Sequence, residues 1–183
     1  ETLTGEKGIF STRLAFVTQI TAGDGKKRFA LQISDADGAN PRTVLQSTQP
    51  IMSPSWGPDG DQLAYVSFEN GKTEVFVQQL QSGQRKSVAS FEGINSAPAW
   101  SPDGKKLALT LSRNGNPEIY VMELANGDLI RVTNNAQAID TEAVWSRDGN
   151  DIYFTSDRGG RPQIYKVSAN GGRAERISFE GNY

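Results

Sequence analysis

The chain has 183 residues, 36% of them hydrophobic and 22% charged, and its 19 basic and 21 acidic side chains leave a net charge of −2. That balance supplies no basic field to neutralise a phosphate backbone, so no nucleic acid partner is expected. With no Cys and no His, zinc sites built on those ligands, Cys nucleophiles and Ser-His-Asp triads are excluded within the chain. Apolar runs such as Leu14-Ala15-Phe16-Val17 fall far short of the roughly 20 residues a spanning helix needs.

In chain order, a linker is read over 1–12, and its opening residues Glu1 to Gly5 have neither the basic nor the apolar region of a signal peptide. Either the protein is cytosolic or a leader has been removed. Three short runs follow: Arg13-Leu14-Ala15-Phe16-Val17, Ala30-Leu31-Gln32-Ile33 and Arg42-Thr43-Val44-Leu45. From residue 51 the pattern becomes regular. Trp56-Gly57-Pro58-Asp59-Gly60, Trp100-Ser101-Pro102-Asp103-Gly104 and Trp145-Ser146-Arg147-Asp148-Gly149 stand 44 and then 45 residues apart. Each is followed by an apolar run (Leu63 to Val66, Leu107 to Thr110, Ile152 to Thr155) and then by another (Val75 to Val77, Ile119 to Val121, Ile164 to Val167). A glycine at 83, 127 or 171 precedes the last short run of each unit.

Four strands in a repeat of roughly 40 to 45 residues predict a propeller blade. The expected fold is all-β: a β-propeller of four-stranded antiparallel WD40-like blades over 13–50, 51–94, 95–139 and 140–183, fifteen strands in all, with the first blade lacking its inner strand. The Pro-Asp-Gly segments suit a type I turn closed by a bulge, which also permits Arg147 in place of the proline in the third copy, so Asp59, Asp103 and Asp148 are expected as turn formers; they lack the alternating ligands of a calcium loop. Second strands apolar on both faces predict cover by neighbouring blades on both sides. The incomplete first blade matches a ring closed by strand exchange, so a cropped piece of a longer protein is expected. Its bare inter-blade surfaces would make it associate.

Aligned on this repeat, Pro50-Ile51-Met52-Ser53-Pro54-Ser55-Trp56, Leu63 to Glu69, Asn116 to Met122 and Thr155 to Lys166 resemble the TolB family of Gram-negative bacteria. The opening Leu3 to Phe10 resembles that family's junction between a small N-terminal domain and its propeller. The resemblance implies a six-bladed ring, of which this chain holds the first four blades, working in the periplasm within the Tol–Pal system during outer-membrane constriction. It implies binding of the lipoprotein Pal, capture of the same surface by bacteriocin translocation segments, and no TolA contact from this chain, because the N-terminal domain that engages TolA is absent. Accessory propellers of serine peptidases carry a similar Trp-Ser-Pro-Asp-Gly unit and form the alternative, although no Gly-x-Ser-x-Gly motif occurs in the chain.

In a propeller, the loops leading into each inner strand and those between second and third strands share one mouth, and loops held by rigid strands carry function. The residues before each tryptophan form three columns: Ile51, Asn95 and Asp140; Met52, Ser96 and Thr141; Ser53, Ala97 and Glu142. Their variation suits a specific asymmetric partner and equally follows from drift. The Pal-facing surface implied by the resemblance maps onto Met52, Ser53, Asn95, Ser96, Ala97, Asp140, Thr141 and Glu142, with Arg113 and Arg158 offered to a partner carboxylate or simply solvated. Ile94 departs from the polar or histidine residue of some relatives. Asp140 and Glu142 would hold a divalent cation only weakly, so no cofactor or metal is expected.

Overall fold

The computed structural model describes residues 12–180; apart from Thr12, the linker read over 1–12 lies outside them, as do 181–183. Among the described residues, fifteen antiparallel strands form four sheets. The first has three strands, β1 (Arg13–Thr21), β2 (Lys27–Asp35) and β3 (Arg42–Ser47). The other three have four each, in sequential order: β4 (Ile51–Trp56), β5 (Gln62–Ser67), β6 (Glu74–Gln79) and β7 (Arg85–Ala89); β8 (Asn95–Trp100), β9 (Lys106–Leu111), β10 (Glu118–Glu123) and β11 (Leu129–Arg131); β12 (Asp140–Trp145), β13 (Asp151–Ser156), β14 (Gln163–Ser168) and β15 (Glu175–Arg176).

The core lies in three layers, one at each seam between blades. Leu31 and Ile33 meet Leu63, Tyr65 and Phe76 at the first seam. Ala64 and Val66 meet Leu107, Leu109 and Leu111 at the second, and Ala108 and Ile119 meet Ile152, Phe154 and Tyr165 at the third. Alternate side chains of a strand point to opposite faces. β5 and β9 therefore turn their larger residues to the preceding blade and smaller ones to the next. β5 and β9 are buried almost throughout, as their unbroken apolar runs predict. On β1 and β13 the runs are only partly covered, leaving Ile20 at 61% and Tyr153 at 36% exposure, because each lacks a blade on one face among the described residues.

The two Pro-Asp-Gly segments, and Arg147-Asp148-Gly149 in the third copy, form the turns expected of them. Gly60, Gly104 and Gly149 take φ of 71°, 69° and 75°, the left-handed conformation that closes each turn. Asp103 accepts from Ser101 Oγ at 2.7 Å and Lys105 N at 3.1 Å; Asp148 accepts from Ser146 Oγ at 2.6 Å and Asn150 N at 3.1 Å. These bonds, the serine hydroxyl first, hold the Asp148 carboxyl down at about 2. In the first copy Gly57 replaces the serine, and the hydroxyl half of the motif is missing.

The tryptophans link consecutive blades. Trp100 Nε1 donates to Ser55 O at 3.2 Å, and Trp145 Nε1 donates to Ala99 O at 3.0 Å, in each case the carbonyl just before the preceding blade's tryptophan. Trp56 Nε1 is buried with no partner, since the blade before it has no inner strand among the described residues; the Arg13 guanidinium lies 4.7 Å from its ring centroid. Replacing Trp100 by phenylalanine is thus expected to cost about 1 kcal/mol more than the same change at Trp56, the net worth of one hydrogen bond. Urea unfolding of the two variants, compared at constant slope, reads the difference.

Candidate functional site at the propeller mouth

The loops before β8 and β12 lie at the same end as the β5–β6, β9–β10 and β13–β14 loops: Ser112 N donates to Ile94 O at 3.1 Å, and Asp140 N donates to Pro117 O at 3.0 Å. Every Trp-bearing inner strand is bulged beside this mouth. The register jumps between Met52 and Ser55, between Ser96 and Ala99, and between Thr141 and Val144. At each bulge one residue takes a left-handed φ: Ser53 at 50°, Ala97 at 47° and Glu142 at 55°. None is glycine, so each carries about 1 to 2 kcal/mol of backbone strain. Bulges re-aim side chains and break the ladder locally. This column is the third of the three read from the sequence, where nothing marked it as left-handed.

Several side chains expected to face a partner are turned inward instead. Asn95 is fully buried and clasps its own loop: Oδ1 accepts from Phe91 N at 2.9 Å, while Nδ2 donates to Phe91 O at 2.8 Å and Gly93 O at 3.2 Å. Asp140 is fully buried against Arg158, whose guanidinium reaches Asp140 Oδ2 at 2.5 Å and lies 5.2 Å and 4.9 Å from the ring centroids of Phe154 and Tyr165. Burial raises the Asp140 pKa, and the Ser156 and Arg158 contacts offset that only in part. Asn95 and Asp140, read from the sequence as offered to a partner, are thus turned toward their own chain, and Arg158 is paired with Asp140 Oδ2, while Asp140 Oδ1 is buried without a hydrogen-bond partner among the described residues. The pairing also takes Asp140 away from Glu142, its companion in the weak cation site. Among the described residues no group of three or more acids, His or Cys stands together to hold a metal.

Other candidates do face outward. Met52 is 51% exposed, and Ser53 and Glu142 are exposed beside it and its counterpart strand. Ser96 and Thr141 are half-buried, with Thr110 Oγ1 3.4 Å from Thr141 Oγ1 across the third seam; Ala97, by contrast, is buried. Arg113 is exposed with its guanidinium 4.7 Å from the Phe91 ring centroid. Ile94 and Ile139, each immediately before an inner strand, are 44% and 51% exposed. Ile139 was absent from the sequence candidates; the signal was its alignment with Ile94 one residue before the columns. The outward chemistry of the mouth is therefore more aliphatic than its sequence suggested.

The whole chain, residues 1–183, matches the PD40 family, described as the TolB beta propeller domain. The chain belongs to this TolB propeller family. It is similar to the Tol-Pal system protein TolB of Nitrosococcus oceani, 65% identical over 97 residues, and to that of Legionella pneumophila strain Corby, 50% identical over 95. These matches take in 53% and 52% of this chain and 22% of each relative. The crystal structure of TolB from Acinetobacter baumannii superposes with a TM-score of 0.89 at 47% identity, covering 100% of this chain and 45% of that one. The chain thus spans less than half of its TolB-family relative of known structure. A puromycin-hydrolysing peptidase of Mycobacterium tuberculosis, 19% identical with a TM-score of 0.66, shares the fold alone. The TolB-family matches do not favour the peptidase alternative.

Proposed function

We propose that the chain is a non-catalytic, periplasmic part of the Tol–Pal system that binds the lipoprotein Pal through the mouth described above, supporting outer-membrane integrity and constriction at division. Bacteriocin translocation segments would use the same face. The observation that carries most weight is the superposition of the whole chain on 45% of a TolB crystal structure at 47% identity. The curated relatives bear the name Tol-Pal system protein TolB, which supports the partner system. Met52, Ile94 and Ile139, at the entries to the inner strands β4, β8 and β12, supply exposed apolar contact area at the mouth.

Hydrogen exchange in the presence of the soluble domain of Pal tests the face. Protection is expected in 91–96 and 135–142 and not in the Pro-Asp-Gly turns at the opposite end, 57–60 and 101–104. Protection confined to those turns would place the contact on the wrong end of the propeller and end the proposal.

A further inference from the structure

The third strand of each complete blade opens on a long polar residue: Glu74, Glu118 or Gln163. Each is buried and meets a hydroxyl from the segment after the fourth strand. Ser90 Oγ donates to Glu74 at 2.7 Å, Thr133 Oγ1 donates to Glu118 at 2.5 Å, and Ser178 Oγ donates to Gln163 at 2.8 Å. This clasp ties the segment leaving each blade's fourth strand to the mouth-side start of that blade's third strand.

At the seam between β10 and β12 the clasp is enlarged. The connection there spans residues 132–139, eight residues against the five of 90–94. After Val132 and Thr133, whose N–H groups go to Ile119 O, side chains supply much of what holds its backbone. Glu118 Oε1 accepts from Asn135 N at 2.6 Å and from Arg131 at 2.9 Å. Asn116 Nδ2 donates to Asn135 O at 2.8 Å and Ala138 O at 2.6 Å, while Asp157 Oδ1 accepts from Ile139 N at 2.8 Å. Thr133 Oγ1, which donates to Glu118, also accepts from Ile119 N at 2.9 Å. Glu118 and Asp140 are both fully buried, the first paired with Arg131 and the second with Arg158.

We infer that Glu118, through Thr133 and Asn135, is a positioning residue that fixes the rim segment 133–139 and so presents Ile139 and Thr141 to a partner. A buried ion pair is weak evidence for stability, because desolvation offsets most of the Coulombic gain; its attested use is to select one arrangement. The eight-residue rim connection, tied at four backbone groups by Glu118, Asn116 and Asp157, is such an arrangement. The inference that this serves a partner rests on the proposed Pal reading; the positioning itself does not.

The test is Glu118→Gln in the full-length protein, a substitution with precedent at Gln163 in the next blade. Amide exchange at Asn135 and Ile139 is expected to rise about tenfold or more, from loss of charge-assisted bonds, and affinity for the soluble domain of Pal to fall about threefold to tenfold. A pH profile separates this from simple destabilisation. Burial opposes ionisation of Glu118, but the Thr133, Asn135 and Arg131 bonds outweigh it and hold its pKa below the ordinary 4.5. Its stabilisation is therefore present above pH 4.5 and lost as pH falls through the lower folded value, and Glu118→Gln should flatten that acid limb. Asp140, with its raised pKa, acts in the opposite sense, losing stability as pH rises through its folded value, and remains in the variant. Thr133→Val should reproduce the exchange effect, and Thr133→Ser, the residue type at Ser90 and Ser178, should not. Unchanged exchange at Asn135 and Ile139 in both Glu118→Gln and Thr133→Val overturns the inference. Faster exchange with unaltered Pal affinity overturns its link to binding. If the wild-type protein does not bind Pal, the proposed function fails, and the exchange data alone decide the positioning role.

Discussion

Replacing Tyr65 by alanine is expected to lower the unfolding free energy by about 3 to 5 kcal/mol, the cost of deleting a large buried aromatic side chain and leaving a cavity. Tyr65 is fully buried at the first seam, its ring stacked on Phe76 with centroids 5.9 Å apart and planes 13° apart. Its hydroxyl donates to Gln78 Oε1 at 3.0 Å, and Gln78 Nε2 donates to Val44 O at 3.0 Å, so the residue also anchors a chain of bonds from the second blade to the first. Tyr65→Phe keeps the stacking and removes only the hydroxyl, so about 1 to 2 kcal/mol is expected. Burial pushes the phenol pKa above 10.0; the unfolded chain therefore ionises first, and stability falls as pH rises past that value. Urea denaturation of the three proteins reads all of this. Equal costs for the alanine and phenylalanine variants would mean that the hydroxyl chain, and not the ring, holds this seam.

Much of the fold was legible in the sequence because a blade repeats both its hydrophobic period and its turn chemistry. The spacing of Trp56, Trp100 and Trp145 located the inner strands, and the unbroken apolar run from Leu63 to Val66 pointed to a strand covered on both faces. The turn role of Asp103 and Asp148 followed from the glycine after each.

The mouth was less legible, for two physical reasons. A polar residue opening an inner strand looks the same in sequence whether it serves a partner or its own loop. Asn95 clasps Phe91 and Gly93, and Asp140 holds Arg158, and only the three-dimensional neighbourhood distinguishes the two uses. Left-handed backbone usually announces itself as glycine, whereas here it falls on Ser53, Ala97 and Glu142, which a bulge repeated in three blades imposes regardless of residue type. The buried, unshared Trp56 N–H likewise arises from what stands beside its blade, and no local pattern encodes that.

Thr141 brings together what the sequence and the structure contribute to the mouth. It belongs to the second of the three columns, sits half-buried beside the strained Glu142, touches Thr110 across the third seam, and follows the rim segment ending in the exposed Ile139. A close-packed contact there leaves no room for a long cation, and a buried unpaired charge in an interface is costly. The direct test of the mouth as the binding face is therefore calorimetric titration of the soluble domain of Pal into the full-length protein and its Thr141→Arg variant, with circular dichroism to establish that the variant is folded. A loss of affinity of about tenfold or more, equivalent to about 1.4 kcal/mol, is predicted; equal affinity in a folded Thr141→Arg protein would contradict the assignment of this face.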